Sequence, residues 1–159
     1  MSTSTYTVER STTITAEPQR VYEQIADFHR WMHWSPWEDL DPNQRRTFSG
    51  AEFGTGAMYA WSGNRKAGSG HMTITHAEAP ADVRIALEFE KPFKSSNTTE
   101  FLVTAESPDT TRVTWTMTGP HSLATKVMGI FSPMDKMIGK DFEKGLTRLK
   151  EVVEKQPAG

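Results

Sequence analysis

Apolar and polar residues alternate through most of the first 120 positions, and then the period changes. Tyr6, Val8, Arg10, Thr12 and Ile14 recur at every second position, the period of a strand. Glu17-Pro18 follows, and proline suits the first turn of a helix, where its missing N–H would have no partner anyway. Val21, Tyr22, Ile25 and Phe28 then fall at helical spacing, which predicts a short helix over 18–27. Trp31, Trp34 and Trp37 stand three apart with Pro36 as a stop, which predicts a second short helix ending near Ser35-Pro36. Strands are expected over 45–49 and 57–61, the latter with Tyr59 and Trp61 on one face. A turn at Gly63-Asn64 leads to a return strand over 71–77. Over 83–90 the pattern is cleanest: Val83, Ile85, Leu87 and Phe89 share one face, and Arg84, Glu88 and Glu90 the other. Strands over 98–105 (Phe101, Val103) and 113–118 (Val113, Trp115, Met117) complete the series.

After residue 120 the spacing becomes helical. A short helix is expected over 123–131 and a long one over 135–155. In the long helix Met134, Met137, Ile138, Phe142, Leu146, Leu149, Val152 and Val153 form an apolar stripe, with Lys136, Lys140, Lys144 and Arg148 on the other side. Strands that alternate have one covered face and one wet face. The apolar stripe of the long helix needs such a face to cover, so the pattern predicts an α+β protein with helices on one side of an antiparallel sheet.

Composition narrows the functional classes. A chain of 159 residues is about one domain, and no linker or internal repeat divides it. A domain of this size buries about 70% of the surface its unfolded chain exposes, enough for one core and a cavity within it. The net charge is -2 and the pI about 6.2, without the basic excess of a nucleic-acid binder. No apolar run approaches the roughly 20 residues that cross a bilayer. The segment Met1-Ser2-Thr3-Ser4-Thr5-Tyr6 lacks the basic and apolar regions of a secretory signal. The chain has no cysteine, which removes disulfides, thiolate ligands and thiol nucleophiles and fits a reducing cytoplasm, the expected location.

The order strand, two short helices, about six strands and a long helix resembles the helix-grip fold of the START/Bet v 1-like (SRPBCC) superfamily, whose sheet would have about six to seven strands. In particular it resembles the polyketide cyclase/dehydrase and lipid-transport family. The matching stretches are Val8-Glu9-Arg10-Ser11 with Ile14 and Pro18, Trp34-Ser35-Pro36-Trp37 with Asp41-Pro42, and Gly54-x-Gly56. Further on are Trp61-Ser62-Gly63-Asn64, Gly68-x-Gly70, Val113-Thr114-Trp115 and Gly139-Lys140-Asp141-Phe142-Glu143-x-Gly145-Leu146. The resemblance spans roughly residues 6–155 and implies one START/Bet v 1-like ligand-binding domain over 1–159. In it, a curved antiparallel sheet wraps the C-terminal helix around a hydrophobic cavity. It implies binding or transport of a small hydrophobic or amphipathic ligand: a lipid, quinone, isoprenoid or polyketide-like molecule. The family pattern has no invariant catalytic triad, so no catalytic set is carried over; a cyclase/dehydratase-type enzyme and a protein-interaction module of the chaperone-cofactor or toxin type stay open as alternatives. Neither a cofactor nor a metal is implied, and monomer and dimer are both open.

On this resemblance the cavity lining would be Tyr59, Trp61, Met72, Ile74, His76, Leu87, Phe89, Phe101, Trp115, Met117, Met134, Ile138 and Phe142. The plain alternative is that these side chains pack on one another. Trp31, Trp34 and Trp37 would line a pocket entrance or anchor the short helices to the sheet, and anchoring is expected for Trp34 and Trp37. His76 is expected on the face of Met72 and Ile74, where it would orient a ligand, act as a base or serve the core; His71 would face the other way. His29 and His33, four apart, would share a face of an α-helix, but neither the glutamate of an H-E-x-x-H pattern nor a third ligand accompanies them. Arg10 shares the face of Val8 and Ile14 and needs an acid or a ligand carboxylate there. Asp141 lies near the apolar stripe, where it would be a polar contact inside the pocket or sit at the helix edge in water, and the edge is expected; Glu38, Asp39 and Asp41 belong to a solvated loop. The glycine pairs lack the P-loop ending and read as turns and strand bends. Asn97-Thr98-Thr99 has the form of a glycosylation sequon, which without secretion has no consequence.

Overall fold

A computed structural model describes residues 5–36, 43–64, 68–91, 94–120 and 133–155. Its elements run β1 (Thr5–Ile14), α1 (Pro18–Ile25), a 3₁₀ helix (Phe28–His33), β2 (Arg45–Gly50), β3 (Ala57–Ser62), β4 (Ser69–Glu78), β5 (Asp82–Lys91), β6 (Ser95–Ser107), β7 (Thr110–Pro120) and α2 (Pro133–Lys155). The expected helix over 123–131 falls outside the described residues. So do Trp37, Glu38, Asp39 and Asp41 and the side chains of Met134, Lys136 and Met137.

The seven strands form one antiparallel sheet in the order β1-β7-β6-β5-β4-β3-β2. From β2 to β7 each strand pairs with its successor, as short connections favour, and β1 closes on β7 with Tyr6 opposite Gly119 and Arg10 opposite Trp115. The sheet's inner face carries the apolar set, and α2 lies across its β1 side. Its outer face carries pairs such as Arg84–Glu100 at 3.0 Å and the Thr116 hydroxyl donating to Glu9 at 3.3 Å.

The segment expected to form a second α-helix is a 3₁₀ helix instead, and it ends at His33. The cause is local: α1 closes when the Ala26 N–H bonds the Tyr22 carbonyl, the chain turns extended at Asp27, and the Asp27 carboxylate accepts from the His29 N–H. Trp31 Nε1 donates to the Ile25 carbonyl at 2.8 Å and Trp34 Nε1 to the Gln24 carbonyl at 3.1 Å. Trp34 therefore anchors α1 to the sheet, as the sequence predicts.

α2 is held along its length. Arg20 donates to the Val153 carbonyl at 2.7 Å, Lys150 to the Thr13 carbonyl at 2.9 Å, and Arg148 to the Ser35 carbonyl at 3.1 Å. Nearer its start, Glu143 meets Arg10 of β1 at 3.0 Å. The Arg10 guanidinium lies so close over Gly139 that any Cβ there would collide with it. Arg10 thus has the inward position expected of it, with an acid on the helix as partner. No helix among the described residues is long and apolar enough to cross a membrane.

Candidate functional site

Strand register sorts the inner face into rows that cross the sheet. In the deepest aromatic row Val83, Phe101, Trp115 and Arg10 are cross-strand neighbours. Phe142 of α2 stacks on Trp115 with centroids 4.0 Å apart and an interplanar angle of 7°, and Phe101 stacks on the opposite side at 4.8 Å and 28°. Trp31 and Trp34 meet this stack edge-on. A side chain lining a water-sized void keeps surface facing it, yet Phe101, Trp115 and Phe142 are only 0%, 1% and 0% exposed. These rings, with Ile74 at 1%, are packed core and form the floor under any ligand space.

Two rows further along, the face changes character. Tyr59, Met72, Leu87, Asn97, Gly119 and Tyr6 align across β3, β4, β5, β6, β7 and β1, with Met117 one row below. The last row holds Trp61, Gly70, Phe89 and Ser95. Trp61 lies across Gly70, where a Cβ would come 2.7 Å from the ring, and meets Phe89 edge-on at 5.8 Å. A Cβ at Gly70 would also collide with the Glu88 carbonyl oxygen, so the close approach on both sides needs glycine. Trp61 and Phe89 are half-buried, as is Ile138 on α2, and all three pack on the core while keeping part of their surface open. The expected residues thus separate into a closed floor and an open apolar end.

A polar chain that the sequence reading missed runs through this end. The Tyr6 hydroxyl donates to Asn97 Oδ1 at 2.5 Å, and Asn97 Nδ2 donates to Ser95 Oγ at 3.1 Å. Tyr6 and Asn97 are buried, and a Cβ at Gly119 would occupy the place of Asn97 Oδ1. Burial pushes the Tyr6 phenol up to about 12, so it stays protonated and donating at neutral pH.

His76 corrects the sequence reading. Between Ile74 and His76 the pairing of β4 with β5 shifts by one residue, leaving Thr75 as an extra residue in a β-bulge. The bulge inverts the alternation: Ala77 packs inward and His76 is exposed, with Nε2 3.8 Å from Glu78 and 3.9 Å from Asp82. His76 therefore leaves the candidate ligand set. His71 lies on the outer face beside Glu90 at 3.5 Å. His29 and His33 do not converge either, because with three residues per turn positions four apart point about 120° away from each other. His29 instead bonds Asp27 and stacks on Phe48 at 4.2 Å. Among the described residues no three His, Cys, Asp or Glu side chains are grouped to hold a metal. A solvent-open cleft of about 190 Å³ beside Phe28, His29, Phe48 and Met58 is smaller than ligand pockets of roughly 300–1,000 Å³ and touches none of the expected lining.

The curved sheet closed on a C-terminal helix, with an apolar inner face opening at one end, defines a helix-grip α+β protein. Over residues 5–154 the sequence matches the family described as polyketide cyclase / dehydrase and lipid transport, and the chain belongs to that family. Its fold is shared with solved structures of low sequence identity. A Thermobifida fusca protein solved by NMR is 18% identical with a TM-score of 0.69, covering 96% of this chain and 97% of its own. A Chromobacterium violaceum protein is 13% identical with a TM-score of 0.67, covering 94% and 98%. A Mesorhizobium loti protein is 14% identical with a TM-score of 0.65, covering 96% and 100%. No curated protein matches the chain.

Proposed function

We propose that this protein binds or carries a small hydrophobic or amphipathic molecule, of lipid, isoprenoid, quinone or polyketide-like size, at the open end of the sheet's inner face. The observation that carries the reading is the contrast between the two ends. The Phe101–Trp115–Phe142 stack closes one, while Trp61, Phe89 and Ile138 keep apolar surface at the other beside the uncharged Tyr6–Asn97–Ser95 chain. Apolar walls with a few placed polar groups are what a small-molecule site consists of. Tyr59, Met72, Leu87 and Met117 line the inner rows below, and methionine adapts to varied ligand shapes. Burying apolar ligand surface there contributes roughly 25 cal/mol per Å². The membership of a family that includes lipid transport supports the same reading.

Native mass spectrometry of the purified protein, followed by denaturing extraction, tests it. A stoichiometric hydrophobic adduct that is lost in Trp61→Ala is the expected result. An apo mass that persists when the protein is incubated with naphthalene-sized ligands overturns the reading.

A further inference from the structure

We propose that the ligand presents a carbonyl-type oxygen on an otherwise apolar ring, and that this oxygen accepts the hydroxyl proton of Ser95. The inference rests on the binding reading above and gives it a chemical class.

The polar chain has a direction. It starts at Tyr6, whose hydroxyl donates to Asn97 Oδ1. The Asn97 amide then presents Nδ2 to Ser95 and donates to Oγ. Because Oγ accepts that bond, the hydroxyl proton of Ser95 is left for another acceptor, and none of the described residues takes it. In this orientation Gly119 leaves room for Asn97 Oδ1 on one side, and the Tyr6 hydroxyl donates to that oxygen.

Position gives the proton its use. Ser95 and Phe89 are direct cross-strand partners on the inner face, and such pairs hold their Cβ atoms about 4.5–5.5 Å apart. Phe89 in turn meets Trp61 edge-on. A flat apolar ring seated against Trp61 and Phe89 brings a substituent oxygen within reach of Ser95 Oγ. The chain also selects for charge: Tyr6, Asn97 and Ser95 are all neutral, so a carboxylate drawn into this corner would gain a hydrogen bond without a counter-charge. An uncharged acceptor avoids that desolvation cost. A hydrocarbon would leave the Ser95 hydroxyl unpaired on binding, whereas a ketone satisfies it.

The test compares 2-acetylnaphthalene with 2-isopropenylnaphthalene, which has the same shape and no oxygen, by equilibrium dialysis. The quantity read is the ratio of their affinities in the wild type, in Ser95→Ala and in Ser96→Ala. Ser96 faces outward, where its hydroxyl donates to Glu88. One hydrogen bond is expected to make the ratio about three- to ten-fold lower in Ser95→Ala. The ratio should not change in Ser96→Ala, and the hydrocarbon, which no longer leaves a hydroxyl unpaired, should bind Ser95→Ala at least as tightly as the wild type. If both probes bind the wild type and the ratio is unchanged in Ser95→Ala, the carbonyl inference is wrong and the binding reading stands. If neither probe binds, the binding reading falls and the inference falls with it.

Discussion

Trp115 is the residue at which a core role and a ligand-lining role part most clearly. Its ring lies between Phe101 and Phe142, both nearly parallel to it, with Trp31 and Trp34 at its edges. Truncation to alanine removes the middle of the stack, and the strand and helix on either side cannot close the gap without breaking the β6–β7 register. Deleting a buried tryptophan typically costs about 3–5 kcal/mol. A domain of this size has about 5–15 kcal/mol in total, so Trp115→Ala should remain folded only marginally. In urea, with a slope of about 2 kcal/mol per molar, the midpoint should fall by roughly 1.5–2.5 M. Phe142→Ala gives the second side of a double-mutant cycle. Stacked aromatic pairs contribute about 0.5–1.5 kcal/mol beyond their area, so the two losses should fall short of additivity by about that much or more. Trp115→Phe, which keeps a ring in the stack, should bind 2-acetylnaphthalene within a few-fold of wild type. A loss below about 1 kcal/mol in Trp115→Ala, accompanied by lost ligand binding, would refute the reasoning. It would place Trp115 on a cavity wall instead of in packed core.

Three further outcomes are expected. The chain has three tyrosines, and absorbance titration should show one phenol ionising at about 12 that disappears in Tyr6→Phe. Since this pKa is raised in the folded state, the stability it contributes is full below pH 10 and is lost as pH rises through about 12. Burial, reinforced by the neighbouring Asp82, raises the Glu100 carboxyl above its ordinary 4.5, against the pull of Arg84. The folded state holds that proton longer than the unfolded chain, so stability should decline as pH rises above 4.5, more in wild type than in Glu100→Gln; parallel urea midpoints between about pH 4 and 6 would contradict it. Arg20→Ala removes a charged donor from the Val153 carbonyl at the end of α2 and should cost about 1–2 kcal/mol, read as faster amide exchange in the last turns of that helix.

The fold was legible because its period-two segments are long and one-sided. Val83, Ile85 and Leu87 face inward as the alternation requires, and the stripe through Phe142, Leu146, Leu149 and Val153 is buried as a 3.6-residue period requires. What alternation cannot carry is an interruption of itself. One extra residue at Thr75 moved His76 to solvent, and nothing in Thr73–Glu78 marks a bulge by composition. In the tryptophan segment Trp34 anchors as expected, and Trp31 with it, but on a 3₁₀ helix, since spacing by three suits a 3₁₀ turn as well as an α-helical face. Ser95 and Asn97 were missed for another reason. The alternation predicts strand β6 only from residue 98, whereas it begins at Ser95, which leaves both outside the predicted strand. Extending the inward set Phe101–Thr99 backwards by two and four residues reaches them. That extension was the available signal, although polar side chains at those positions break the hydrophobic pattern that would have prompted it.

The pairing of the first strand with the last has a consequence for synthesis. Tyr6 stands opposite Gly119, so β1 emerges from a ribosome with no partner and waits until the final strand of the sheet is made. At about 5–20 residues per second that interval is roughly 5–20 s. During it, strands β2 to β7 can pair in turn with the neighbour just synthesised, while β1 presents two unpaired edges. The same closure joins Tyr6 to Asn97, so that link of the polar chain exists only once β1 has been brought back across the sheet. A nascent or truncated chain ending before β7 would carry the Trp61–Phe89 corner and Ser95 with Asn97 lacking its bond from Tyr6, and would offer an open strand edge to its neighbours on the same polysome.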